Sequence, residues 1–211
     1  MNFNNKNILV LAPHTDDGEL GCGGTIARAI AEGAQVYYVA FSTAEASVPE
    51  GFPRNQLEKE VREATHLLGI PSDHLFVYKY QVRKLNYVRQ EILEELIRLR
   101  PLIKPDIVFL PSSEDIHQDH STVYQEGVRA FKHSSLFGYE LIWNNLSFSA
   151  DCFVALKSDD VQRKIAALGA YQTQEGRHYM EPDFIRSLAK VRGTQISVEY
   201  AEAFEVIRLI F

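Results

Sequence analysis

The chain has 211 residues, with 22 Lys+Arg against 28 Asp+Glu and a formal net charge of −6. Hydrophobic residues make up 45% and charged residues 24%, which excludes a disordered chain and suits a single domain spanning residues 1–211. The negative balance argues against a nucleic-acid partner held by bulk electrostatics, though it leaves room for a local basic pocket. Cys22 and Cys152 are too few for a disulfide framework or a thiolate zinc site. The first apolar run, Ile8 to Ala12, is too short for a secretory signal, and no stretch approaches a membrane span. The expectation is a soluble cytoplasmic protein.

Taken in chain order, residues 8–12 (Ile-Leu-Val-Leu-Ala) predict a buried strand. Residues 20–32 predict a helix with Ile26, Ala27, Ile30 and Ala31 on one side, and 35–41 a second strand. A helix over 55–68 stops at Gly69, with Pro71 beyond it. A short strand follows at 75–78. Val88, Ile92, Leu96 and Leu99 recur at helical spacing from about Tyr87 to Arg100, and Pro101 and Pro105 are expected to end that helix. Residues 106–110 predict a strand closed by Pro111, and 121–132 a helix. Strands are expected at Leu141–Trp143 and Phe153–Leu156, helices at 160–171 and 183–192, and a last strand at 203–210. Apolar strands alternating with helices predict an α/β fold: a Rossmann-like, mostly parallel sheet with helices on both faces.

Such sheets bind ligands outside the carboxyl ends of their strands, where the strand order switches. Two loops qualify, and both are rich in His and Asp. One is Pro13-His14-Thr15-Asp16-Asp17-Gly18-Glu19, running on to Gly24. The other is Ser112-Ser113-Glu114-Asp115-Ile116-His117-Gln118-Asp119-His120. A catalytic zinc wants three protein ligands and one open position, and a carboxylate that is not a ligand can take a proton from water. Histidines and aspartates at two neighbouring strand ends can supply these parts. Gly21, Gly23 and Gly24 do not make a dinucleotide-binding turn, because Ile26 stands where the third glycine belongs. They are expected to permit close helix–sheet approach.

His14-Thr15-Asp16-Asp17, with Glu19-Leu20-Gly21-Cys22-Gly23-Gly24-Thr25 after it, resembles the His-Pro-Asp-Asp-Glu signature of the PIG-L/LmbE-like zinc-dependent N-deacetylases. His117-Gln118-Asp119-His120 is similar to that family's His-x-Asp-His motif. Lys164 to Gln174 and Tyr200-Ala-Glu-Ala-Phe204 resemble two further stretches, so the ordered matches span nearly the whole chain. The resemblance implies that His14, Asp17 and His120 bind one Zn2+ per chain. It implies that Asp16 is the general base, and that His117 stabilises the oxyanion or protonates the leaving amine. Asp119 would orient a histidine. The implied substrate is a small N-acetylated sugar of the N-acetylglucosamine type, with no nucleic acid partner; a homo-oligomer is compatible, since relatives often form multimers.

The sequence departs from the family pattern in two places. Thr15 replaces the usual Pro, and Gly18 the usual first Glu, which is not a ligand. For the family's substrate-binding arginine, Arg54 is the nearest match, with Arg62 competing. A competing class is a Rossmann-type nucleotide- or carbohydrate-binding protein without hydrolytic activity, in which Glu45, several residues late, would hold a ribose. Smaller ambiguities also stand. The Asp-rich loop can be a turn and helix cap. Cys22 is expected to be packing. Tyr171 and Gln174 either line the pocket or pack. Trp143 either stacks on a sugar or sits at the core edge. Asp16, Asp17, Glu19, Glu114, Asp115 and Asp119 predict an acidic rim better suited to a neutral acetamido sugar than to a phosphate.

Overall fold

The structure is a computed structural model and describes residues 2–210. Its strands in chain order are β1 (Asn7–Ala12), β2 (Gln35–Ala40), β3 (Leu75–Val77), β4 (Ile107–Pro111), β5 (Ser135–Tyr139), β6 (Cys152–Leu156) and β7 (Tyr200–Arg208). The α-helices are α1 (Asp17–Ala31), α2 (Gln56–Leu68), α3 (Arg89–Ile103), α4 (Gln118–Ala130), α5 (Ser158–Leu168) and α6 (Pro182–Gln195).

The runs that are apolar without alternation become interior strands. All seven strands form one sheet, in the order β3-β2-β1-β4-β5-β7-β6. The first five in that order are parallel, and β7 runs antiparallel to both β5 and β6. Successive residues of a strand point to opposite faces. Ile8, Val10, Ala12 and Phe109 accordingly join a core with residues of α1, α2, α5 and α6. Leu9, Leu11, Val108 and Leu110 join a second core with residues of α3 and α4. Each such Leu, Ile or Val contributes roughly 1.5–3 kcal/mol when fully buried. The expected Rossmann-like α/β architecture is therefore present, with helices on both faces. Among the described residues no helix is long and apolar enough to cross a membrane.

Three local expectations need correction or are met in detail. No strand forms at 141–143; the chain turns there, with Asn144 N–H donating to the Leu141 carbonyl (2.8 Å). The strand of this region is β5, in which all five residues are buried. Helix α3 does not stop before Pro101 but carries it to Ile103. A proline costs least near a helix end, and the partner of its missing N–H would be the carbonyl of Ile97, a residue that is itself exposed. Gly69 does end α2, at a φ of +94° that few side chains adopt.

Candidate active site

From β1 the chain passes through α1 to β2 on one side; from β4 it passes through α4 to β5 on the other. Neighbours β1 and β4 are thus the switch point of the sheet. Their carboxyl ends carry the two loops, so residues about a hundred positions apart meet.

His14 Nδ1 lies 3.3 Å from Asp17 Oδ2, His120 Nε2 lies 3.3 Å from the same oxygen, and the two nitrogens are 3.2 Å apart. This near-equilateral triangle is what a four-coordinate ion demands, since ligands at 2.0–2.1 Å with tetrahedral angles stand ~3.3–3.4 Å from one another. The other ring nitrogen of each histidine meets a carboxylate. His14 Nε2 is 3.0 Å from Asp119 Oδ2, and His120 Nδ1 is 2.7 Å from Asp115 Oδ2. Such partners fix ring orientation and raise ligand basicity. The ring nitrogens of His14, His117 and His120 also lie within 4.8 Å of one another. That set is looser than the triangle, and one nitrogen of His117 is already engaged: its Nδ1 accepts from the Asp119 N–H at 3.1 Å.

The electrostatics ask for a cation. Burial by itself would lower the pKa of His14, yet hydrogen bonds to Asp119 and Asp17 raise it to about 9. For His120, burial again opposes, but Asp17 and Asp115 prevail and raise it to about 10. Burial would raise Asp17, but His120 and His14 hold it well below the ordinary carboxylate range. The donor set, its spacing and its surplus of carboxylate therefore fit zinc.

Asp16 occupies the N-cap position of α1 but makes no capping hydrogen bond. Its carboxylate is not consumed by helix capping. Burial, then the neighbouring charge of Asp17, pushes its pKa up to about 6. His117 caps α4. With Nδ1 accepting, its proton sits on Nε2. Burial and the charges of His120 and His14 lower its pKa, which keeps it a neutral donor.

The supports of these loops come from distant parts of the chain. The Thr15 carbonyl accepts from the hydroxyls of Tyr38 (3.0 Å) and Tyr171 (2.7 Å), and both rings also meet the buried Glu19. Burial pushes the Glu19 carboxyl up to about 8. Gly18 leaves space for Tyr38: a Cβ there would come within 2.5 Å of the ring. The departure at residue 18 thus accommodates a tyrosine that props the loop. Helix α1 kinks at Cys22, and both halves of the interrupted backbone pairing are met by an ion pair. Lys164 Nζ donates to the Leu20 carbonyl (2.6 Å), Glu202 accepts from the Gly24 and Thr25 N–H groups (3.0 and 2.7 Å), and the two side chains bond at 2.7 Å. Asp119 is fixed by the N–H groups of Arg83 (2.5 Å) and Leu85 (3.1 Å). The second loop leans on the 141–145 turn, where Ile116 N–H donates to the Asn144 carbonyl (3.1 Å).

A cavity of about 460 Å³ opens over the triangle. Its lining includes His14, Asp16, Asp17, His117 and His120. Asp119 is not in the lining; it lies behind His14. Arg54 is exposed and lines a neighbouring cleft instead, while Arg62 is tied to Glu58 on the α2 surface. The arginines of the cavity are Arg83 and Arg177, which the sequence motifs did not mark. Gln174 lines the cavity, and Tyr171 packs beneath the loop. Trp143 also lines it, stacked on Tyr179 with ring centroids 3.9 Å apart. The expected acidic rim needs correction: Asp17, Glu19, Asp115 and Asp119 are buried and bonded inward. Glu45, the ribose-binding candidate, is exposed in a short 3-10 turn.

A Rossmann-like sheet with this donor set at its switch point has the parts that a metal-assisted hydrolase would use. Comparison with known proteins narrows it. The family model PIG-L, described as GlcNAc-PI de-N-acetylase, matches residues 9–131. YaiS of Escherichia coli K12, described as an uncharacterized deacetylase, is 28% identical over 181 residues, 80% of this chain and 91% of YaiS. The diacetylchitobiose deacetylase of Thermococcus kodakarensis is 24% identical over 231 residues, 98% of this chain and 85% of that protein. The crystal structure of the conserved protein TT1542 from Thermus thermophilus superposes with a TM-score of 0.82 at 30% identity, covering 98% of this chain and 96% of that one. The chain belongs to the PIG-L/LmbE family of deacetylases.

Proposed function

We propose that the chain is a zinc-dependent hydrolase that removes the acetyl group from an amino-sugar conjugate of the N-acetylglucosamine type, with one zinc per chain. The observation that carries this reading is the triangle of His14, Asp17 and His120 with a spare carboxylate, Asp16, beside it. The relative named for diacetylchitobiose and the family name GlcNAc-PI de-N-acetylase support an N-acetylated sugar as substrate.

His14, Asp17 and His120 would hold the zinc, which supplies a Lewis acid for the amide carbonyl and lowers the pKa of a water. The remaining work belongs to side chains. Asp16, ionised and free of any cap bond, takes a proton from the attacking water. His117 presents Nε2–H to the oxygen that gains charge as the carbonyl carbon becomes tetrahedral. The carbon–nitrogen bond then breaks, the proton held by Asp16 passes to the nitrogen, and acetate and a free amine leave.

The test is acetate release from N-acetylglucosamine conjugates before chelation, after it, and after zinc is returned. Release that stops and then recovers supports the reading. Release indifferent to chelation overturns the metal dependence, and no release from any N-acetyl sugar overturns the deacetylase. We place the enzyme in the cytoplasm, a reading supported by its two unpaired cysteines and tested by cell fractionation.

A further inference from the structure

We propose that Gln174 is a specificity-determining residue, its side-chain oxygen accepting a hydrogen bond from one hydroxyl of the sugar. This rests on the deacetylase reading for the identity of the ligand. Gln174 lines the cavity that holds Asp16 and the donor triangle, yet only 6% of the residue is exposed. Its Nε2 donates to Thr173 Oγ1 at 3.1 Å, and among the described residues nothing donates to its Oε1. The buried side-chain atoms that no partner reaches are Thr15 Oγ1, Thr25 Oγ1 and Arg208 Nη1. Oε1 of Gln174 is not one of these sealed atoms, so its lone pairs open on the cavity.

The orientation of that amide is set from outside the cavity. Glu60 of α2, itself buried, accepts from the Thr173 hydroxyl at 2.6 Å, the Thr173 N–H at 3.1 Å and Gln56 Nε2 at 3.2 Å. A carboxylate has no hydrogen to give, and a threonine hydroxyl has one. With that hydrogen directed at Glu60, Thr173 Oγ1 can only accept. It therefore draws the nitrogen of Gln174 and turns the oxygen away, which is how a hydrogen-bond network fixes the sense of an amide. The turn is also fixed relative to the reacting centre. Gln174 N–H donates to the Tyr171 carbonyl (3.0 Å), and the Tyr171 hydroxyl donates to the carbonyl of Thr15 (2.7 Å), the residue before Asp16. One short segment thus ties the acceptor both to α2 and to the loop of His14 and Asp17. In the deacetylation step the amide nitrogen faces Asp16, so a sugar hydroxyl is the donor left for Gln174. A site built to receive a hydroxyl rejects the analogue that lacks it, because the acceptor is then left unpaired.

The test uses the full zinc-loaded chain and a set of probes built on the methyl glycoside of N-acetylglucosamine. Each monodeoxy analogue lacks one hydroxyl, and each matching deoxyfluoro analogue carries there a fluorine, which cannot donate. Affinity is read by calorimetry, and amine release is followed in parallel. One monodeoxy analogue is expected to bind about tenfold more weakly than the parent, the scale of one neutral hydrogen bond, and its fluoro counterpart should lose as much. In Gln174→Met, which keeps the length of the side chain and removes the acceptor, parent and analogue should bind alike. Thr173→Val frees the amide to turn its N–H toward the ligand, so the gap between the fluoro analogue and the parent should narrow. If Gln174→Met fails to fold, the wild-type series and Thr173→Val still decide. Equal wild-type affinity for all probes, or none for any, overturns the inference. So does a loss that persists in Gln174→Met, or a fluoro analogue bound as tightly as the parent. Amine release from every probe with equal efficiency and affinity would sink the inference and leave the deacetylase standing. Binding that depends on one hydroxyl and on Gln174, without amine release, would do the reverse.

Discussion

At the floor of the cavity both ring nitrogens of His14 and of His120 already face partners, and those partners are themselves anchored, Asp119 by two backbone amides. At the mouth, Trp143 is 38% exposed, and Arg83 and Arg177 lack any acid within salt-bridge distance among the described residues. The floor is organised before a ligand arrives, whereas the mouth keeps bonding capacity in reserve. The difference teaches where each kind of energy is kept. Orientation at the reacting centre is fixed during folding, and recognition is settled when substrate binds. Substitutions on the floor should therefore strike metal affinity, turnover or stability, and those at the mouth should strike substrate binding.

The largest effect is expected for Asp16→Asn. It removes the proposed base without touching a proposed ligand, so kcat should fall by about 10²–10⁴-fold while zinc content by elemental analysis stays at the wild-type level. The pH profile follows the same group. Asp16 must be ionised to accept a proton, and its pKa is raised to about 6, so kcat/KM should fall as pH drops through that region. A bound dication favours the ionised form, which moves the limb lower and never higher. An Asp16→Asn enzyme with substantial turnover would end its role as base.

Next in size is Lys164→Met. It leaves Glu202 buried without its cation, which should destabilise the fold by about 3–5 kcal/mol in urea unfolding; a loss below about 1 kcal/mol would mean that the kink in α1 holds without the pair. Asp115→Asn should weaken zinc binding by about 10–100-fold in chelator competition. Unchanged affinity there would show that His120 needs no carboxylate behind it. The smallest effect belongs to the mouth. Trp143→Ala should raise KM by about twofold to tenfold, the range of a lost aromatic contact, with a smaller change in kcat. A collapse of kcat instead would erase the distinction between the two regions.

The sequence made the floor more legible than the mouth, for physical reasons. His14, Asp16, Asp17, His117, Asp119 and His120 lie in two compact loops at strand ends, where the switch-point rule gives short motifs spatial meaning. Asp115 stood in the same loop, but its bond to His120 depends on how the chain turns through 112–117. Arg83 and Arg177 lie on separate connecting segments with no motif of their own. Only tertiary packing brings them to one cavity and leaves Arg54 outside. Strand β5 was hidden because Ser-Leu-Phe-Gly-Tyr is short and contains a glycine. Yet Gly138 is needed there, since a Cβ would come within 2.9 Å of Ser112 Cα. Lys164 and Glu202 stood out as matches, but neither residue announces its partner, because 38 positions separate them.

The pin made by Glu202 also sets a timetable. His14 and Asp17 leave the ribosome long before β7, and the helix that follows them cannot be braced at its kink until that strand is made, 178 positions after Gly24. His120 arrives midway. The brace on α1 beside His14 and Asp17 is therefore complete only when β7 lies between β5 and β6. Removing β7 should therefore loosen α1 and weaken a site whose proposed ligands, His14, Asp17 and His120, all lie far earlier in the chain.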